Sequence, residues 1–158
     1  MKPYACLLSL MLLLSSCNPP CANEVPSLLV DVMVPAGRQV QDWQVLDQTG
    51  PARTFTTYGS TTGRQVLEFP LNLSASSTRY TVRIDGQTDT LTVNYAVRLA
   101  NPSDKCGYSV LLDRPTQGPT ARRVLGAVEA VYYSGDTLPA NLPVRYMKPG
   151  SVRVQLSL

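Results

Sequence analysis

Residues 80–95 decide the fold: Tyr80-Thr81-Val82-Arg83-Ile84-Asp85-Gly86-Gln87-Thr88-Asp89-Thr90-Leu91-Thr92-Val93-Asn94-Tyr95. Apolar side chains occupy every second position on either side of Asp85-Gly86, which is the period of a half-buried strand and not of a helix. The pattern predicts a β-hairpin whose second strand runs on through Val97 and Leu99. A two-residue loop would set Val82 opposite Asp89. A four-residue loop from Asp85 to Thr88 sets Val82 opposite Leu91 and Tyr80 opposite Val93, and apolar cross-strand pairing favours this longer loop. Either register leaves both apolar sets on one face of the sheet.

The same alternation extends outward in both directions. Upstream, strands are expected at Leu28 to Val34, around Trp43 and Val45, at Phe55 to Tyr58, and at Val66 to Leu73. Pro70 lies inside the last of these and cannot donate to a ladder, so that strand is expected at an edge or bulged there. Downstream, Tyr108 to Leu112, Val124 to Tyr133, Val144 to Met147 and Val152 to Leu158 complete the series, separated by proline and glycine punctuation. No segment after the first few residues carries a sustained helical stripe. Short strands spaced by turn signals predict an all-β domain over residues 25–158, an immunoglobulin-like two-sheet sandwich, with a small closed β-barrel as the alternative. The alternation of Val152, Val154, Leu156 and Leu158 builds the C-terminus into a sheet.

The N-terminus has a different composition. Lys2 precedes an apolar run from Ala5 to Leu14 that is too short to span a bilayer, and Leu14-Ser15-Ser16-Cys17 closes it as a bacterial lipobox. Residues 1–16 therefore read as a lipoprotein signal peptide, with Cys17 becoming the first residue of the mature chain and the site of lipidation. Residues 17–24 form the tether. Within it Asn18-Pro19-Pro20 is stiff and extended, and no Gly/Ser-rich or charged spacer follows. Such a tether holds the domain close to the membrane and points to a partner there.

Of the four cysteines, Cys6 leaves with the signal peptide and Cys17 takes the lipid, leaving Cys21 and Cys106. In an oxidising compartment the simplest fate of two remaining thiols is a disulfide, which for so long a loop is worth about 4–5 kcal/mol by loop closure. The alternative is two unpaired thiols, one buried as a small hydrophobe and one beside the anchor.

Charge excludes some functions and leaves others open. The chain has 14 basic and 11 acidic residues for a net +3, and removal of Lys2 leaves about +2. The basic residues are scattered, so no nucleic-acid footprint forms, and the adjacent Arg122-Arg123 reads as a solvated strand start. The sequence contains no histidine, which removes Ser/His/Asp and Cys/His nucleophile systems and the commonest metal ligand. Carboxylate-only hydrolysis remains as a third option, although Asp31 and Glu68 occupy polar strand phases expected to face water. Asp85, Thr88, Asp89 and Thr90 offer oxygens for a weak calcium loop, but a hydrophilic hairpin tip accounts for them without metal. Trp43, Tyr58, Tyr132 and Tyr133 are candidates for a glycan-stacking platform, with core or sheet-surface roles as the alternative. No metal, cofactor or small-molecule ligand is implied.

Taken together, the early cysteine after the lipobox, the Leu28 to Val34 strand, Phe69-Pro70-Leu71-Asn72, Asp89-Thr90-Leu91-Thr92-Val93-Asn94-Tyr95 and Cys106-Gly107-Tyr108 resemble a family of small lipoproteins of Bacteroidota that carry a domain of unknown function. The resemblance covers about Cys21 to Leu112 and implies pairing of Cys21 with Cys106. It implies no activity, substrate or cofactor. Asp89-Thr90-Leu91 and Asp136-Thr137-Leu138 also resemble the short O-glycosylation motif of exported proteins of that group, Thr137 in its turn being the better placed and Thr90 the alternative. Residues 18–23 lack the acidic run that resembles a surface-export signal, so the expected location is the periplasmic face of the outer membrane. The function expected is that of a noncatalytic, lipid-anchored interaction or accessory module, with a glycan-binding module as the alternative.

Overall fold

A two-residue Asp-Gly turn organises the hairpin at the centre of the molecule. In the computed structural model, which describes residues 25–36, 38, 40–46, 56–61, 63–103, 107–140 and 150–157, Asp85 (φ 49°) and Gly86 (φ 82°) are both left-handed. Two consecutive positive φ angles define the turn whose twist matches that of paired strands. β5 (Ser77–Ile84) and β6 (Gln87–Asn94) therefore pair with Ile84 opposite Gln87, Val82 opposite Asp89 and Tyr80 opposite Leu91. The expected four-residue loop is not formed. Apolar pairing argued for it, but Asp89 has an arginine partner on the buried face, so the tight turn costs the core nothing.

Eleven strands are present among the described residues, and no helix. The others are β1 (Ser27–Met33), β2 (Val40–Val45), β3 (Thr56–Thr61), β4 (Arg64–Pro70), β7 (Ala96–Ser103), β8 (Gly107–Asp113), β9 (Ala121–Arg123), β10 (Val128–Tyr132) and β11 (Val152–Ser157). They form a five-stranded sheet in the order β10-β11-β1-β4-β3, a four-stranded sheet in the order β2-β5-β6-β9, and a two-stranded ribbon of β7 and β8. The two larger sheets pack as a sandwich and both remain open at their edges, so the closed barrel is excluded. Between them lies one apolar core: Leu28, Val30 and Val32 of β1, Leu67 and Phe69 of β4, and Val152, Val154 and Leu156 of β11 meet Tyr80, Val82, Leu91 and Val93 of the hairpin.

Several boundaries differ from the periodicity. The strand expected from Leu91 through Leu99 breaks at Tyr95, where the chain leaves the four-stranded sheet for the ribbon. Tyr95 is buried there, and its hydroxyl donates to the Asn72 carbonyl at 2.7 Å and lies 2.6 Å from Thr78 Oγ1. A polar anchor at the break fixes the change of direction while alternation continues through it, so the sequence pattern alone does not reveal it. The strand expected at Val124 to Tyr133 starts only at Val128, because residues 124–127 carry the chain from β9 in one sheet to β10 in the other. β4 is interior, contrary to the edge or bulge expected from Pro70: that proline is the last residue of the strand and lies beyond β3, whose pairing reaches only Glu68. The edge strand expected at Phe55 to Tyr58 is present as β3 from Thr56, with Phe55 outside the described set, and the strand expected at Val144 to Met147 lies wholly outside it.

β1 and β11 run parallel, so their N-terminal ends lie at one end of the sandwich. There the Ser27 amide donates to Ser151 Oγ at 3.2 Å. The neighbouring Gly150, at φ +80°, is pressed onto the ribbon so tightly that a Cβ would sit 2.5 Å from the Val110 carbonyl oxygen. Gly150→Ala combines a left-handed backbone with that clash against main chain, and is expected to cost about 1–3 kcal/mol. A urea unfolding midpoint equal to that of the parent protein would contradict the close approach.

Candidate functional site

Two buried carboxylates, Asp31 and Asp89, are the strongest chemical features of the described residues, and each is held by arginine. Asp31 is fully buried in β1, on the face of the five-stranded sheet turned away from the core. It accepts hydrogen bonds from Arg64 Nε at 2.8 Å and from Arg153 Nη2 at 2.6 Å, and Arg153 is itself fully buried. The registers explain the cluster: Val66 of β4 and Gln155 of β11 flank Asp31, so Arg64 and Arg153, each two residues earlier in its strand, share its face. Burial alone would raise the Asp31 carboxyl, but hydrogen bonds and charges from the two guanidinium groups outweigh it and hold its pKa below the usual carboxylate value. The expectation that Asp31 faces water is thus corrected. Glu68 is half-buried on the same sheet face.

Asp89 lies in the four-stranded sheet, on the core-facing side of β6, at the end of the sandwich where β11 finishes. Arg123 Nε donates to Asp89 Oδ2 at 2.8 Å, while Asp89 Oδ1 accepts from the amides of Thr90, Val124 and Leu125 at 2.7, 3.2 and 3.0 Å. Arg123 Nη1 reaches the carbonyls of Ala127 at 3.3 Å and Ser157 at 3.0 Å. One guanidinium thus ties β6 and the crossing after β9 to the last strand of the other sheet. Burial pushes the Asp89 carboxyl up, and the Leu125 amide together with Arg123 more than reverses that, leaving it below the ordinary value. Only Arg122 of the adjacent pair is solvated; Arg123 is buried.

Arg38, Gln87, Asp89, Arg123 and Leu125 contribute to the walls of a cleft of about 160 Å³ at this end. Arg38 is paired with Asp85 across its rim at 2.8 Å. The acidic and basic groups of the cleft therefore neutralise one another, and a carboxylate held ionised by arginine is a poor proton donor at neutral pH and a weak base. Asp85 and Asp89 each pair with an arginine, so the oxygens considered for calcium do not converge.

The four aromatics do not form one exposed platform. Trp43 is in the core, its ring 4.9 Å from that of Phe69, and Tyr133 is buried with its hydroxyl donating to the carbonyls of Asn94 and Thr120. Desolvation pushes the Tyr133 phenol up to about 12. Tyr132 is half-buried, and the side chain of Tyr58 lies outside the described set.

Thr137 is exposed just after the Gly135 turn, where Asp136 accepts from the Tyr133 amide at 2.8 Å, whereas Thr90 is half-buried and sits opposite Thr81 in the ladder. Residues 1–16, expected as a signal peptide, the expected lipidation site Cys17, and Cys21 and Cys106 lie outside the described residues. What sequence reasoning missed here are Arg123 and Arg153 as buried partners. Comparison with family models, with curated proteins and with solved structures finds no match to this chain.

Proposed function

We propose that this chain is a lipid-anchored protein of the bacterial envelope, held through Cys17 at the periplasmic face of the outer membrane, that works by contact with an envelope partner and not by catalysis. The observation that carries this reading is the lipobox Leu14-Ser15-Ser16-Cys17 after a short apolar run. The tether supports it: only seven residues lie between Cys17 and Val25, a reach of at most about 26–29 Å. The commitment of Asp31 and Asp89 to arginines supports a binding role over a hydrolytic one, since both carboxylates already serve the fold.

A Cys21–Cys106 bridge belongs to the same proposal. Cys21 is four residues before Val25, and Cys106 is four before Val110, the ribbon residue on which Gly150 packs next to Ser151 and Ser27. Support for the bridge is the cysteine count: these two thiols remain once Cys6 leaves with the signal peptide and Cys17 takes the lipid.

Crosslinking in intact cells tests the role. The expected result is a discrete covalent adduct with an envelope protein, lost when Cys17→Ala removes the anchor. Recovery of the anchored protein solely as a free monomer would contradict it.

A further inference from the structure

The β7–β8 ribbon carries an apolar face that begins in the core and ends in solvent. Val97 lies opposite Leu112 and Leu99 opposite Val110, and Tyr108 follows on the same face two residues before Val110. At the base, Leu112 is fully buried. Toward the tip exposure rises to 40% at Val97, 64% at Leu99 and 73% at Tyr108. The other face of the ribbon has a different character, with Arg98 paired to Asp113 at its base. Leaving a leucine and a tyrosine uncovered on a projecting sheet face is unfavourable in water, and such patches mark surfaces that meet something apolar.

The location of the patch identifies what it meets. The ribbon stands at the end of the sandwich where the chain enters the fold: Ser27 bonds Ser151, and the adjacent Gly150 abuts Val110 and Leu111 of the ribbon. Val25, the first described residue, is also an exposed apolar side chain there. Only seven residues lie between it and Cys17. A lipid on Cys17 therefore sets the acyl-chain boundary within about 26–29 Å of Val25, which keeps this end of the domain near the surface. A phenol beside aliphatic side chains is the composition that lodges at the headgroup level, its ring among apolar groups and its hydroxyl in water.

We propose that the tip of this ribbon, through Leu99 and Tyr108 with Val97 behind them, inserts shallowly into the lipid surface that holds Cys17, giving the domain a second, noncovalent membrane contact. This rests on the anchoring proposed above. It also fixes orientation: β1 and β11 run away from the bilayer, and the cleft of Arg38, Asp89 and Arg123 faces outward at the far end.

The full chain is purified from membranes with its lipid and reconstituted into phosphatidylethanolamine/phosphatidylglycerol vesicles containing acyl-brominated lipid. Its single tryptophan, Trp43, is buried in the core and gives the baseline. Tyr108→Trp is expected to add a blue-shifted emission that the brominated chains reduce by roughly half or more, as shallow insertion of about 5–10 Å requires. Leu99→Asp in the same protein is expected to abolish that added quenching while thermal unfolding stays cooperative. The mass of the same sample reports acylation. If Cys17 carries no lipid, the anchoring and the ribbon contact both fall. If it is acylated and the added tryptophan is unquenched, the ribbon contact alone falls, whether the emission is red-shifted in water or blue-shifted under a second copy or another part of the chain.

Discussion

Asp31→Ala is expected to destabilise the domain by about 3–5 kcal/mol, because it leaves the fully buried Arg153 without its carboxylate partner. The cost comes less from lost attraction than from a guanidinium charge that loses its neutralising carboxylate in a fully buried site. It follows that a triple replacement of Asp31, Arg64 and Arg153 by apolar residues of similar size is expected to be less damaging than the single change. Urea unfolding of the parent, the single variant and the triple variant measures both. A single variant within about 1 kcal/mol of the parent would mean that the cluster is wet and the charges screened. The sign of the pH dependence follows from the lowered Asp31 value: the stabilisation is fully present above the unfolded carboxyl pKa of about 3.9 and is lost as pH falls through the still lower folded value. The penalty of Asp31→Ala is therefore expected to shrink as pH is taken well below about 4, and to stay constant from pH 5 upward.

Asp89→Ala is expected to cost a similar amount, about 3–5 kcal/mol, with a local signature of its own. It removes the charge partner of Arg123 and at once the acceptor for the amides of Thr90, Val124 and Leu125. Hydrogen exchange is expected to speed up first at Val124 and Leu125, in the crossing between the sheets, before it changes in β1 or β4. Asp89→Asn keeps an acceptor for the amides but loses the charge, so its cost is expected to be smaller than that of Asp89→Ala. Equal costs for the two variants would show that the charge pair, and not the amide bonds, holds this end.

The strands were legible because alternation is a one-dimensional record of burial, and β5 and β11 carry it without interruption. What escaped is where polar groups act in three dimensions. Leu28-Leu29-Val30 is apolar at both phases, which is the mark of a strand covered on both faces, and it could have signalled that Asp31 needs a buried partner. Nothing in the sequence names Arg153, more than a hundred residues away, as that partner. The hairpin loop was misjudged for a related reason. Apolar cross-strand pairing alone favours the longer loop, whereas Arg123 neutralises Asp89 inside the sandwich and lets Asp85-Gly86 close the tighter turn. Tyr95 breaks a continuous alternation because a hydroxyl bond to a loop carbonyl leaves no periodic trace. Of the candidate site, the exposed Thr137 turn was readable from Gly135, while the ribbon's apolar face looked like any half-buried strand until its projection beyond the core was seen.

The claim on which location, orientation and role all depend is acylation at Cys17, and mass spectrometry of the protein isolated from its own membranes tests it most directly. The account predicts a mature chain that begins at Cys17, without residues 1–16, and that carries fatty acid on that residue. An intact chain starting at Met1 with no acyl group would contradict it.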